Sequence, residues 1–245
     1  MEPWYASWFD SPFYPMLYKH RDDEEAADFL DRMLAVIQIP KGSEVLDLAC
    51  GRGRHSRFLH SKGLKVHGVD LSPSSIQEAS KFTTTGLTFE VRDMRRAWTE
   101  PKFDLALSLF TSFGYFESDE ENRSVLIALR SAIRAQGKVV LDVFNSQKVL
   151  SSLIEPVTEQ RRVGDYQFST FKHVENGFIV KRIRVENQDQ NWTFFEKVRA
   201  YTLQELNALI DDAGLEIIAL WGDYNLGPFD SQHSDRLIYL MQIKP

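Results

Sequence analysis

Hydrophobic and polar positions along this chain follow two alternating periods. Short apolar runs at Val45–Leu48, Val66–Val69, Leu87–Val91, Phe103–Leu109 and Val139–Phe144 read as buried strands. Helical spacing fills the gaps. Ala26, Phe29, Leu30, Met33 and Ile37 share one face of a helix predicted over Asp22–Ile37. A short helix after a glycine turn stops at Gly63. Ser72 followed by Pro73 is an N-cap with proline at the first helical position, opening a helix through Lys81. Ser118 with Glu121 forms a capping-box pattern ahead of Val125, Leu126, Leu129 and Ile133. Strands alternating with helices predict a mostly parallel sheet with helices on both faces.

From about Arg161 to Tyr201 the helical signals vanish. Asn176-Gly177 separates two β-rich runs, the signature of a type I′ hairpin. Trp192, Phe194, Glu196, Val198 and Ala200 alternate with Thr193, Phe195, Lys197 and Arg199, as a strand requires. Thr202 with Glu205 then caps a helix ending at Gly214, and strands are expected over Leu215–Trp221 and Leu237–Ile243. The expected organisation is one α/β domain from residues 1–150 and 201–245. A small antiparallel β insertion over 151–200 would lie on the substrate side, and residues 1–21 would form an N-terminal segment.

Composition narrows the class. A chain of 245 residues with 43% hydrophobic and 26% charged residues can bury one sizeable core. A net charge of -6 and a pI near 5.6 argue against a nucleic-acid footprint. Cys50 is the single cysteine, which suits a reducing cytoplasm. The N-terminal residues carry no basic segment ahead of an apolar core, and no apolar run approaches the ~18 residues of a membrane span. The expectation is a cytoplasmic protein, monomer or homodimer, with no membrane or nucleic-acid partner. The six histidines show no metal-ligand spacing; His55 and His60, five apart, read as surface residues.

The chemistry concentrates in EVLDLACGRGRHSRFLHSKGLKVHGVDLS, residues 44–72. Gly51 and Gly53 let the backbone turn sharply and approach a ligand. The preceding strand delivers Asp47, and Asp70 ends the next one. A carboxylate at a strand end can accept hydrogen bonds from both hydroxyls of a ribose. A dinucleotide fingerprint wants a third glycine at position 56, where this chain has Ser56. A carboxylate at Asp47 would repel a pyrophosphate and favour a sulfonium or ammonium. Arg52 and Arg54 could instead meet a ligand carboxylate or a phosphate.

These residues, DLACGRG with Gly-Val-Asp-Leu-Ser downstream, resemble the class I S-adenosylmethionine-dependent methyltransferases. The resemblance covers about Asp22–Asn145 and the last strands, and is nearest to enzymes acting on small molecules with a β insertion after the fifth strand. It implies a Rossmann-like seven-stranded mostly parallel sheet with a final antiparallel strand. It implies that Asp47, Ala49, Gly51, Gly53, Asp70, Leu71, Asp93, Met94 and Leu109 hold S-adenosylmethionine. Tyr18 and Arg21, in an aromatic N-terminal segment that fits either core packing or a lid, would complete the cofactor site. Methyl transfer to a nitrogen or oxygen of a small molecule follows, releasing S-adenosylhomocysteine without a metal. Phe113, Tyr115, Phe144, Asn145, Tyr224 and Arg236 are the expected liners of the acceptor site. Tyr115, His173, Tyr224 and His233 are the candidate proton acceptors. A nucleotide-dependent oxidoreductase and a non-catalytic cofactor-binding protein are the alternatives.

Overall fold

A computed structural model describes residues 3–18, 23–110 and 112–245, without the side chains of residues 23–25. Two short helices, α1 (Trp4–Phe9) and α2 (Phe13–Leu17), precede the long α3 (Asp23–Ile37). The alternating core then runs β1 (Glu44–Leu48), α4 (Arg54–Ser61), β2 (Lys65–Asp70), α5 (Pro73–Ser80), β3 (Leu87–Val91), β4 (Phe103–Ser108), α6 (Asp119–Ala132) and β5 (Ile133–Phe144). After α7 (Ser146–Ser152) come four strands, β6 (Val157–Val163), β7 (Tyr166–Glu175), β8 (Phe178–Glu186) and β9 (Asn191–Arg199). The chain closes with α8 (Leu203–Asp212), β10 (Leu215–Trp221) and β11 (Arg236–Ile243).

The main sheet has the order β10-β11-β5-β4-β1-β2-β3. Strands β1 to β5 pair in parallel, and β11 inserts antiparallel between β5 and β10. The order reverses between β1 and β4, so the loops after these two strands diverge and leave a crevice at their C-terminal ends. The apolar runs fill two buried layers, one centred on Leu46, Leu48, Val139 and Leu141, the other on Phe29, Met33, Val45 and Leu105.

Local chemistry accounts for the element ends. Ser72 Oγ accepts from Ser75 N–H with Pro73 in the first turn of α5. Thr202 and Glu205 form the complete capping box of α8. At α6 only half the box exists. Ser118 Oγ accepts from Glu121 N–H, but the Glu121 carboxylate turns away to Arg95 Nη1 at 2.5 Å. Asn176 and Gly177 both have positive φ, 49° and 78°, as a type I′ turn demands. Three features departed from the periodicity: α7, the start of the antiparallel sheet at Val157, and Ile133, which carries the helical spacing yet opens β5.

The separate sheet, β6-β7-β8-β9, is antiparallel throughout. One end of its inner face carries Phe168, Ile183, Val185, Trp192 and Phe194. Trp8, Phe13 and Leu17 from α1 and α2 cover that end to form a third core. Trp8 is fully buried there. Trp8 and Phe13 are buried within this core, whereas Trp4, Phe9 and Tyr14 pack against its edge and, with Tyr5, also line the crevice.

Candidate cofactor and acceptor site

A cavity of about 1280 Å³ opens at the C-terminal ends of β1, β2 and β4 and is bounded by α1, α2 and the inner face of the antiparallel sheet. Two non-glycine residues with left-handed backbone mark its floor. Ala49 (φ 62°) follows β1 and Phe110 (φ 59°) follows β4. Such conformations cost energy and persist where surrounding bonds hold them. For Phe110 the holder is Asp142, whose Oδ2 accepts its N–H at 2.8 Å.

The glycine turn is built on Asp70. Its Oδ2 accepts from Gly51 N–H at 2.8 Å and its Oδ1 from Ser72 N–H at 2.9 Å. One carboxylate therefore ties the ends of β1 and β2 together. Burial raises the Asp70 pKa, against those backbone bonds. Gly51 has φ 55° and open space where a Cβ would point, so its backbone faces the cavity bare. Gly53 plays a different part. A Cβ there would sit 2.7 Å from the Phe89 ring, so this glycine serves packing under the turn.

Asp47 lies beneath the turn, 1% exposed, and does not line the cavity. Ser56, standing where a third glycine was expected, donates to Asp47 Oδ2 at 2.6 Å. Burial pushes the Asp47 pKa up to about 6, the Asp70 charge adding to the rise and the Ser56 bond opposing it. Cys50 is buried beside the turn, and burial first, then the Asp47 and Asp70 charges, raise its thiol pKa well above the ordinary range. It is a packing residue.

Ala49, Gly51, Asp70, Leu71, Asp93, Met94 and Leu109 all line the cavity. The Asp93 carboxylate is engaged from behind by Arg95, through Nε at 3.1 Å to both oxygens and Nη2 at 2.6 Å. Burial works against the Asp93 charge, but these bonds and the Arg95 charge hold its pKa below the usual range. Tyr18 also lines the cavity, yet its hydroxyl is bound to the antiparallel sheet: it donates to Glu196 at 2.6 Å and accepts from Lys181 at 2.9 Å. Arg21 lies outside the described residues.

Of the acceptor-side residues, Tyr115, Phe144, Tyr224 and Arg236 line the cavity. Phe113 does not; it is 2% exposed and packs on Tyr201. Asn145 spends its amide on the carbonyls of Ser231 and Ser234, both at 2.9 Å, fixing the last loop. His173 projects from the opposite face of the antiparallel sheet to Thr170 and Lys172, because side chains alternate along a strand. His233 is a surface residue bound to Asp230. The Tyr224 hydroxyl donates to Asp142 at 3.2 Å.

His55 corrects the sequence reading. It is 9% exposed, lines the cavity and stacks on Phe110 at 4.8 Å, a ring on which Tyr224 also stacks at 5.0 Å. Arg54 lies 5.1 Å from the centre of the same ring, on the cavity wall. Sequence reasoning also missed the cavity face of the antiparallel sheet, with Glu159, Thr170, Lys172, Lys181 and Glu196. Its period-two alternation held the signal, but which face turned inward could not be read from one strand.

Among the described residues, no helix is long and apolar enough to cross a membrane. Residues 45–137 match the methyltransferase domain family. The chain is 29% identical over 132 residues to a dTDP-3-amino-3,4,6-trideoxy-alpha-D-glucopyranose N,N-dimethyltransferase of Streptomyces venezuelae, covering 53% of this chain and 54% of that protein. Its fold is that of an S-adenosylmethionine-dependent methyltransferase from Clostridium acetobutylicum, with a TM-score of 0.81 at 20% identity over 95% of this chain and 96% of that one. A sugar N-methyltransferase from a Streptoalloteichus species gives a TM-score of 0.72 at 17% identity over 95% and 93%. With its glycine turn and its sheet order, the chain has the class I, Rossmann-like methyltransferase fold, and residues 45–137 within it match the methyltransferase domain family.

Proposed function

We propose that this protein transfers a methyl group from S-adenosylmethionine to a nitrogen of a small-molecule amine, releasing S-adenosylhomocysteine. The observation that carries the reading is the cavity itself. The Gly51–Asp70 turn lies on one wall, and a cluster of aromatic faces from α1, α2 and the loop after β4 lines another. Trp4, Phe9 and Tyr115 pack with ring centres 5.2–5.7 Å apart, and Tyr14 joins Phe9 at 5.0 Å. Relatives named for N-methylation of amino sugars support nitrogen as the acceptor atom.

The residues present fit the cofactor. Asp70 keeps lone pairs for ribose hydroxyls beyond its two backbone bonds. Bare Gly51 admits a bulky ligand, Leu71 and Met94 offer apolar contact to an adenine, and Arg54 can meet a carboxylate. Asp47 and Gly53 support the turn from below. Bound there, S-adenosylmethionine supplies an activated methyl on a cationic sulfur. The protein's share of catalysis is then position and a dry cavity. The aromatic faces would orient the amine and exclude water, with Tyr115 and Tyr224 the cavity-lining candidates to take up a proton. Residues 3–18 act as a lid as well as core, and 151–200 serve the acceptor. Work in the cytoplasm, as monomer or homodimer and without a metal, completes the reading.

Calorimetry with S-adenosylmethionine, S-adenosylhomocysteine and NADH tests the cofactor; micromolar binding of the first two and none of the third is expected. A mass-spectrometric screen over amines, hydroxyls, thiols and carboxylates then tests the acceptor. NADH binding without the sulfonium pair would overturn the cofactor assignment, and methylation confined to hydroxyls would overturn the nitrogen.

A further inference from the structure

The inner face of the antiparallel sheet changes character along its length. Beyond the apolar end covered by α1 and α2, the next rungs are Thr170 opposite Ile183 and Lys172 opposite Lys181, with Glu196 opposite Lys181 on the far side. Lys172, Lys181 and Glu196 all line the cavity. Two lysines directly opposed across an antiparallel pair repel each other, and the repulsion grows as water is excluded. The pair is also unequally served. Lys181 donates to the Tyr18 hydroxyl at 2.9 Å and lies 3.9 Å from Glu196. The Lys172 side chain, half-buried, makes no hydrogen bond or ion pair with a described residue. Glu159 is the other charged group on this wall; it is exposed, stands opposite Thr170, and forms no ion pair with either lysine. Burial first, then the Lys181 charge, holds the Lys172 pKa below the ordinary lysine range, with Glu159 and Glu196 opposing.

A half-buried, unpaired ammonium set beside a second cation is a costly arrangement for the fold alone. An anion between the two would satisfy both. We infer that Lys172 and Lys181 bind an anionic group of the methyl acceptor, a carboxylate or a phosphate, with the Thr170 hydroxyl one rung away as a further donor. The inference rests on the methyl-transfer reading for the word acceptor, but the anion site stands on the sheet geometry alone. It makes the acceptor bipolar: a nucleophilic nitrogen among the aromatic faces, and an acid on the sheet wall.

The test uses the full chain with S-adenosylhomocysteine present. Calorimetric titrations with inorganic phosphate, pyrophosphate and succinate, against chloride as control, compare the unaltered protein with Lys172→Met and Lys181→Met. Saturable binding of at least one probe is expected, weakened about tenfold or more by Lys172→Met, as loss of a charge-assisted bond requires. S-adenosylhomocysteine affinity should stay the same in Lys172→Met. Preference for pyrophosphate and phosphate over succinate, or the reverse, tells which acid the site takes. Lys172→Met removes a repulsive charge, so its melting temperature should equal or exceed that of the parent; Lys172→Gln serves as the second variant. Absence of saturable binding by all three probes, or equal binding to the parent and both Lys172 variants, overturns the proposal. If instead the parent fails to bind S-adenosylhomocysteine, the methyl-transfer reading falls while the anion titration is still readable.

Discussion

Ser56 donates a 2.6 Å hydrogen bond to Asp47, a carboxylate that is 1% exposed beneath the glycine turn. It is the only side-chain hydrogen bond to Asp47 among the described residues. Removing it in Ser56→Ala leaves a buried acceptor unsatisfied and should destabilise the fold by about 1–3 kcal/mol. The Asp47 pKa stands near 6 in the folded protein, above its value of 3.8 in an open chain. A raised carboxylate pKa favours the neutral form, so its contribution to stability is fully present below about pH 4 and is lost as pH rises through about 6. Ser56→Ala removes a bond that favours the charged form, so the variant should lose more stability at pH 8 than at pH 5. Urea unfolding at both values measures this, and an equal loss at both would show that Asp47 is not ionising across that range.

Asp70 joins the two strands that frame the cofactor wall. Asp70→Ala should weaken S-adenosylhomocysteine binding by ~1.5–3 kcal/mol, the range for hydrogen bonds to a charged group. It should also lower the melting temperature, because Gly51 and Ser72 lose the acceptor for their N–H groups. Calorimetry and thermal unfolding separate the two effects. A lower melting temperature with unchanged affinity would restrict Asp70 to holding the turn.

Asp10 ties the N-terminal helices to the sheet domain. Its Oδ1 accepts from Ser72 Oγ at 2.6 Å and Ser74 N–H at 3.0 Å, at the start of α5. Slight burial opposes ionisation, but these bonds hold the Asp10 pKa below the aspartate range. The latch is therefore present above the ordinary aspartate pKa and is lost as pH falls through the depressed value. Asp10→Ala should speed S-adenosylhomocysteine release about three- to tenfold, the equivalent of about one hydrogen bond. Asp10→Asn, which keeps an acceptor oxygen, should fall between. Stopped-flow dissociation gives the rates; identical rates in all three proteins would mean that α1 does not gate the cavity.

Arg236 binds the fully buried Asp142 through Nε at 2.8 Å and Nη2 at 2.7 Å. Asp142 also holds the strained Phe110 backbone. Arg236→Met removes the counter-charge and should cost about 2–4 kcal/mol, somewhat under the range for a fully desolvated pair because Arg236 keeps some water contact. Asp142→Asn in the same chain removes the stranded charge and should restore part of that loss. Denaturant unfolding of the single and double variants completes the cycle. Simple additivity would refute coupling between the two residues.

The sequence by itself determined the sheet strands, the caps of α5 and α8, the hairpin at Asn176-Gly177 and the acid–glycine–acid frame of the turn. Each is local: period, capping and turn chemistry act between residues a few positions apart, so one segment carries the whole signal. The tertiary structure alone decided the division of labour within that frame. Asp47 and Gly53 went below the turn, Asp70 and Gly51 faced the cavity, and Ser56 became the partner of Asp47. It also brought His55 onto Phe110, bound Asp93 to Arg95, turned Tyr18 toward the sheet and set Lys172 opposite Lys181. Most of those pairings depend on strand register and on the packing of distant segments, as far apart in sequence as Tyr18 and Glu196, separated by 178 residues. Side-chain period places a residue on a face, but only the fold places something opposite that face, and the chemistry of the cavity lies in what stands opposite.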